Sequence, residues 1–249
     1  YKTILRTDPE NVEARDNLKR LYLQSESYNA LVELLRQDLQ RVDEDDVAKV
    51  QVLREIAAIY RDRVNSDTAL LTVLTQILQI DGSDIAAVRD LVRVYEALGR
   101  WRDLLPMQSK LAELTSNQTE RLNLLRAVAR RWTDQFSNVQ NAIAAYEALI
   151  DADPQDAEAQ EKLRELYKKR RAWPKLYELY EKQLETAEKK ERLTLMNRMA
   201  KLAAERLNRG EDAIRLLRGV LDIDPAAEGV LDTLERQAER QKDYVTVAF

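Results

Sequence analysis

The chain has 249 residues, of which 45% are hydrophobic and 34% are charged, and it carries a net charge of −4. It contains no cysteine and no histidine, which excludes disulfides, thiolate zinc sites and the commonest general base. Five glycines and five prolines give little turn chemistry for a β fold, and the mild charge argues against a general polyanion binder. We therefore expect an all-α protein that is not an enzyme, with no catalytic residue, metal site or cofactor.

Four groups of residues recur along the chain at intervals of 71 to 73 residues. The groups are Asp8-Pro9, Asp81-Gly82, Asp153-Pro154 and Asp224-Pro225; Tyr22, Tyr95 and Tyr167; Tyr28, Trp101, Trp173 and Tyr244; and Ala57, Ala129 and Ala200. Because these independent anchors share one drifting interval, the chain is predicted to be built from an internal repeat.

Each period is predicted to hold four helices, which in the second period cover residues 84–98, 102–114, 117–132 and 138–150. Apolar residues three and four apart, as in Leu122, Leu125 and Ala129, give each helix one apolar face. A single helix hairpin cannot bury that face. We therefore expect hairpins of about 34 and 38 residues to alternate and to stack on one another.

Two charged runs are interpreted as helix ends rather than as binding sites. The acidic run Asp43-Glu44-Asp45-Asp46 lacks the glycine and the distal glutamate of a calcium loop, so it is interpreted as an acidic helix start. The basic run Lys168-Lys169-Arg170-Arg171 is open to a nucleic-acid or acidic-protein contact. A helix end is favoured, because positive charge suits a helix C-terminus and Pro174 then begins the next helix.

Three tryptophans and one proline are the other local features. Trp101, Trp132 and Trp173 fall at repeat positions that tyrosine fills elsewhere, so core packing is favoured over a stacking platform for bases. Pro106 has no counterpart in the other periods and is expected either to delay the start of its helix or to kink it.

The repeat resembles the tetratricopeptide repeat family in the order of its large, small and aromatic residues. The first-helix pattern is matched by Leu53, Ile56, Ala57 and Tyr60, by Leu125, Val128, Ala129 and Trp132, and by Met196, Met199 and Ala200 with Ala203 replacing the aromatic residue. The second-helix pattern is matched by Ala142, Tyr146 and Pro154. The alternate hairpins diverge, since Arg164 stands where the family prefers glycine or alanine and both Asp90 and Lys19 lie one residue from the matching column.

The resemblance implies a right-handed superhelix of antiparallel helix hairpins, with residues 1–249 as one solenoid of about six hairpins and a partial hairpin at each end. It also implies a scaffold or adaptor that binds partner proteins or peptides in a multiprotein complex. Alternating pairs of hairpins look like the long repeat arrays of bacterial scaffold proteins. An RNA-processing scaffold and the non-catalytic domain of a larger enzyme stay as alternatives, although no nucleic-acid partner is expected.

In the family that this chain resembles, the first helices of successive hairpins line a concave groove. Carrying that register over residue by residue gives Gln51, Arg54, Arg61, Arg89, Arg93, Asn123, Arg126, Arg130, Asn197 and Lys201, flanked by Glu13, Asp16, Glu158, Glu161 and Glu165. Arginine forks suit carboxylates and asparagine can hold a peptide backbone, so the hypothesis is a groove for an acidic peptide segment. Two alternatives stay open: ordinary solvated charges, and pairing of Arg89 and Arg93 with acids on neighbouring helices.

Both ends of the sequence fall inside predicted hairpins. Tyr1 aligns with the middle of a second helix and residues 243–249 with the opening of another, and no polar capping helix is visible. We expect a fragment of a longer protein, and the alternative is a complete chain whose uncapped ends self-associate or meet a partner. No run of about 18 apolar residues occurs, so no membrane insertion is expected. The expected location is the cytoplasm, and the periplasm stays open because the sequence begins without methionine.

Overall fold

The computed structural model describes residues 1–42 and 44–241, and this part of the chain holds fourteen α-helices and no strand. The helices are α1 Lys2–Thr7, α2 Val12–Gln24, α3 Tyr28–Arg41, α4 Asp46–Ile59, α5 Asp67–Ile80, α6 Ile85–Ala97, α7 Trp101–Leu114, α8 Gln118–Asp134, α9 Val139–Ala152, α10 Ala157–Arg170, α11 Trp173–Thr186, α12 Lys189–Glu205, α13 Gly210–Ile223 and α14 Val230–Gln241. One π-helical turn, Tyr60–Val64, continues α4. The all-α prediction is confirmed, and the four helices predicted for the second period begin and end within two residues of their observed bounds.

Contacts divide the chain into two compact units, unit 1 at residues 1–128 and unit 2 at residues 129–249. Within each unit the helices pack on their neighbours in the chain, for example α4 on α5 and α12 on α13. Connections of a few residues turn the chain back on itself, so consecutive helices form hairpins. We call α2, α4, α6, α8, α10, α12 and α14 the first helices, and the helices that follow them the second helices.

Large aliphatic side chains on the packed faces form the core of each unit. In unit 1, Leu53 and Ile56 of α4 are almost fully buried, as is Leu74 of α5. Burying one such side chain contributes roughly 1.5–3 kcal/mol, so the stacked faces supply the main stabilising term. In unit 2, α13 approaches α12 so closely that a Cβ on Gly219 would lie 2.5 Å from Cε of Met196.

The turns repeat the period that the sequence shows. Residues with positive φ between a first helix and its second helix recur at intervals of 73 and 72 in the shorter hairpins and of 72 and 71 in the longer ones. They are Glu26, Gly99 and Arg171, and Asn65, Ser137 and Asn208. Only glycine adopts this left-handed conformation without steric cost, yet only one of the six is glycine. The alternation of two hairpin types is therefore present in the backbone as well as in the sequence.

The charged runs take the positions that the sequence predicts. Asp45 accepts hydrogen bonds from the amides of Val47 and Ala48, both at 3.0 Å, and so caps the start of α4; Asp43 lies outside the described residues. The basic run ends α10, where Arg171 has φ of 55°. Residues 243–249, which were expected to open another helix, also lie outside the described part of the chain.

The position of Pro106 and the burial of the three tryptophans differ in part from what the sequence predicts. Helix α7 begins at Trp101, so Pro106 lies inside the helix and does not delay its start. Trp101, Trp132 and Trp173 are half-buried rather than enclosed in the core. Each ring therefore keeps some exposed surface.

Candidate partner-binding surface

The ten candidate residues lie on first helices or, for Arg61, in the π-helical turn that follows α4. All ten are exposed or half-buried, and none belongs to the core. Their surroundings separate them into two groups. Five arginines lie beside acids of the same chain, namely Arg54, Arg61, Arg89, Arg93 and Arg130. In contrast, Asn197 and Lys201 of α12 line clefts.

Arg54 is bound to an aspartate on the next first helix. Its Nη2 and Nε donate to Oδ2 of Asp84, at 2.7 and 3.0 Å. The other oxygen of Asp84 accepts from the amide of Ala87 at 2.9 Å and caps α6. The Asp84 side chain is 2% exposed, so Arg54 supplies the counter-charge for a buried carboxylate.

Arg61 makes a similar contact about two helical turns further along. Its Nη1 donates to Asp90 on α6 at 2.8 Å and its Nε donates to Asp62 at 2.8 Å. Hydrogen bonds to Asp62 and then to Asp90 raise the pKa of Arg61 above its ordinary value. Arg93 lies 3.4 Å from the same Asp90. Two guanidinium groups therefore share one carboxylate at this junction.

The same contact joins the next two pairs of first helices. Arg89 of α6 donates to both carboxylate oxygens of Glu120 on α8, at 3.0 and 3.2 Å. Arg130 of α8 donates to both carboxylate oxygens of Glu158 on α10, at 3.0 and 2.9 Å. For Arg89 the geometry is the one that the pairing alternative describes, while Arg93 pairs within its own helix.

We refer to the pairs Arg54–Asp84, Arg61–Asp90, Arg89–Glu120 and Arg130–Glu158 as the arginine bridges. Their partners lie 28 to 31 residues apart in the sequence. From the sequence, the four arginines are candidate residues and Glu158 is a flanking acid, but none of the four acids is predicted as a bridge partner. For Asp84, Glu120 and Glu158 the available signal was an acid at the start of a first helix, slightly less than one hairpin after the arginine, whereas Asp90 lies in the second turn of α6.

Asn197 and Lys201 line a cleft of about 470 Å³ between α12 and α14. We call it the Arg236 cleft, and its wall also carries Glu228, Thr233 and Arg236. The Asn197 side chain donates to the carbonyl of Leu193 at 3.1 Å, which fixes it along its own helix. The wall is mostly polar, so it suits hydrogen bonds to a peptide backbone.

A second cleft, of about 460 Å³, lies between α10 and α12 with α11 as its floor. We call it the Trp173 cleft. Its floor is made by Trp173, Leu176 and Tyr180, and its rim by Glu161, Lys168, Arg198, Lys201, Glu205 and Arg206. Burial raises the pKa of the Tyr180 phenol, so this ring stays uncharged at neutral pH. Lys201 and Glu205 line both clefts, which therefore adjoin on the first-helix face of unit 2.

Local sequence positions the floor of the Trp173 cleft. The amide of Ala159 donates to Asp156 at 3.0 Å, which starts α10, and Arg171 in the left-handed conformation ends it. Helix α11 then begins at Trp173 with Pro174 in its first turn. The guanidinium group of Arg206 lies 5.3 Å from the Trp173 ring centroid, within the range of a cation–π contact.

Two other kinds of site do not occur among the described residues. No group of three or more histidine, cysteine, aspartate or glutamate residues that could hold a metal ion occurs in residues 1–42 and 44–241. Over the same part of the chain, every helix is too short or too polar to cross a bilayer.

Stacked helix hairpins whose first helices share one face define a helical-repeat solenoid. This class of fold serves protein-interaction scaffolds generally. Residues 161–194 match the family model described as Tetratricopeptide repeat, which spans much of α10, all of α11 and the start of α12. The predicted resemblance to the tetratricopeptide repeat family is confirmed. No curated protein matches the chain.

Several solved structures are similar to the chain. One is a tetratricopeptide repeat protein from Parabacteroides merdae ATCC 43184, with 14% identity over 95% of this chain and 89% of that one and a TM-score of 0.39. YrrB, described as a TPR protein with an unusual peptide-binding site, has 15% identity over 81% and 98% and a TM-score of 0.32. PilW, described as a widely conserved type IV pilus biogenesis factor, has 10% identity over 80% and 89% and a TM-score of 0.36.

Proposed function

We propose that this protein is a scaffold that binds an extended segment of a partner protein on the first-helix face of unit 2. The observation that carries the proposal is the pair of adjoining clefts that share Lys201 and Glu205. Most residues that line the two clefts lie on helices, so little conformational entropy is lost by the protein when a segment enters them. Asn197 and Lys201 are the two candidate residues that we assign to direct contact with the partner.

The arginines of unit 1 take a secondary part in this proposal. Arg54, Arg61 and Arg89 already hold carboxylates of their own chain. A partner carboxylate would replace an existing ion pair there, so the net gain in binding free energy is small. Arg93, with Asn123 and Arg126 of α8, completes the candidate set for acidic segments on this unit. The affinity is proposed to come mainly from unit 2.

Selection from a library of displayed short random peptides tests the proposal. The immobilised chain is expected to enrich peptides that it binds in solution, measured by fluorescence anisotropy. Lys201→Glu places a like charge beside Glu205 in both clefts, and it is expected to lower the affinity for these peptides by about ten-fold or more.

A matched control and two opposite outcomes make the test decisive. Lys182 lies on the second helix α11, is 72% exposed and has its nearest acid, Asp151, at 3.8 Å. Lys182→Glu changes the net charge equally and is expected to leave peptide affinity unchanged. Failure to enrich any peptide overturns the proposal, as does enrichment of peptides that lose affinity with Lys182→Glu and keep it with Lys201→Glu.

A further inference from the structure

We infer that the Trp173 cleft binds a large apolar side chain flanked by carboxylates in the partner segment. The inference rests on the proposed function and adds to it the chemical class of the residue that is recognised. The floor supplies the apolar part of the argument. Leu176 and Tyr180 are 2% and 3% exposed, so packing holds the base of the cleft in place, and the half-buried Trp173 ring supplies exposed apolar surface. A cleft of about 460 Å³ falls within the range of ligand pockets in proteins.

The rim supplies the charge. We call Lys168, Arg198 and Arg206 the rim cations, and together with Lys201 they surround the floor. None of the four forms an ion pair with any described residue. Of the two rim carboxylates, Glu161 is held by Arg164 at 2.6 Å, which leaves Glu205. The rim is therefore positive and uncompensated, in contrast to the arginine bridges.

The internal repeat shows that the fold does not require this positive rim. The repeat places Trp101 in the column of Trp173, one period earlier. The residues in the columns of the rim cations, 71 or 72 positions earlier, are Glu96, Ala127 and Gln135. The same helices thus form with an acidic, an apolar and a neutral polar residue at these columns. Two periods earlier the same columns hold Leu23, Glu55 and Arg63, so the three cations occur together only in the hairpins around Trp173, which indicates a role beyond folding.

Charge complementarity selects an acidic protein segment over a nucleic acid. Uncompensated cations around an apolar floor favour carboxylates on both sides of a large apolar side chain, because the ion pairs exclude water from the apolar contact. A phosphate backbone would instead follow a longer basic track. Here the adjoining Arg236 cleft mixes the acids Glu205 and Glu228 with Lys201, Arg236 and Arg240, so the basic residues do not form a continuous track, and the whole chain has a net charge of −4.

The peptide selection described above tests this inference by a charge swap. Wild-type chain is expected to enrich peptides with a large apolar residue between acidic residues. The double variant Lys168→Glu, Arg198→Glu is expected to bind these peptides about ten-fold or more weakly than the wild type. In its own selection it is expected to enrich peptides with basic residues on both sides of the same apolar residue. Both side chains are exposed, so the variant is expected to fold, which a circular dichroism melt checks. Lys182→Glu again serves as the control and is expected to keep the acidic flanks.

The outcomes separate this inference from the proposed function. Enriched peptides whose flanks are the same for wild type and the double variant overturn the inference and leave the proposed function standing. An empty selection overturns the proposed function. Oligouridine and oligothymidine are titrated in parallel, and tighter binding of either than of the enriched peptides, lost in the double variant, overturns the inference in favour of a nucleic-acid site.

Discussion

The stability effects of removing Arg54 and of removing Asp84 are expected to differ, because the two side chains of this bridge differ in exposure. The Asp84 side chain is 2% exposed and the Arg54 side chain is 54% exposed. Arg54→Ala leaves a buried carboxylate with only the Ala87 amide as a donor, which costs about 1–3 kcal/mol. Asp84→Ser keeps a cap for α6 and releases Arg54 to water, so its cost is under about 1 kcal/mol.

The double variant Arg54→Ala, Asp84→Ser shows whether the buried, unpaired carboxylate of Asp84 causes the loss of stability in Arg54→Ala. With both substitutions no buried charge remains, so the free energy of unfolding is expected to lie within about 0.5 kcal/mol of that of Asp84→Ser alone. The two single effects are therefore expected to be strongly non-additive. Arg89→Ala is the control, because it breaks an exposed pair with Glu120 and is expected to cost under about 1 kcal/mol.

Urea unfolding measures the free energies, and hydrogen exchange at the first amides of α6 measures the local effect. Both are needed, since a stack of hairpins need not unfold in one step. The expected pattern is faster exchange at Ala87 and Val88 in Arg54→Ala, largely reversed in the double variant. If Arg54→Ala leaves both quantities at the wild-type level, or if the single effects simply add, the buried-charge explanation is refuted.

Three further predictions follow from local features. Arg171→Gly relieves the left-handed conformation and is expected to raise the free energy of unfolding by about 0.5–1 kcal/mol, whereas Gly99→Ala at φ 64° is expected to lower it by about 1 kcal/mol. Effects of equal sign in urea unfolding contradict this. Pro106→Ala restores a hydrogen-bond donor inside α7 and is expected to raise the free energy of unfolding by about 1–3 kcal/mol. An unchanged midpoint of urea unfolding contradicts this expectation. Burial opposes ionisation of Glu147, but hydrogen bonds from Lys175 and Tyr167 outweigh it and lower its pKa below the ordinary 4.5. The ionised Glu147 side chain therefore stabilises the fold above pH 4.5, and this contribution is lost as pH falls through the folded pKa. The melting temperature of Glu147→Gln is expected to depend less on pH than that of the wild type in this acidic window. Parallel pH profiles of the two melting temperatures would count against the explanation.

The repeat and its helices could be predicted because their causes are local. A helix shows its buried face through apolar spacing, and residues such as Leu53 and Ile56 are buried as that spacing predicts. Turns show themselves through the recurring anchors, and the positive-φ residues recur at the same intervals. Each feature depends on residues close in sequence, so a single sequence suffices to predict it.

The partners of the arginines could not be predicted in the same way. Arg54 and Asp84 lie on different hairpins, and whether they meet depends on the offset between consecutive first helices. That offset is set by core packing in between, which residue spacing does not determine. The exposure of Trp173 has the same origin, because a small rotation of a helix about its axis moves a ring from the core to a cleft.

The distinction between paired and unpaired cations bears on where a charged solenoid gains affinity. A guanidinium group that already holds a carboxylate gains little by exchanging it for a partner's carboxylate, since one ion pair replaces another. A cation that forms no ion pair with a described residue, such as Lys168 or Arg198, gains an ion pair that did not exist before. If it lies beside an apolar floor, the bound segment also excludes water and strengthens that pair. Counting basic residues on a face therefore overestimates its attraction for acidic partners where bridges neutralise it, and a cleft with few but uncompensated cations is the stronger site.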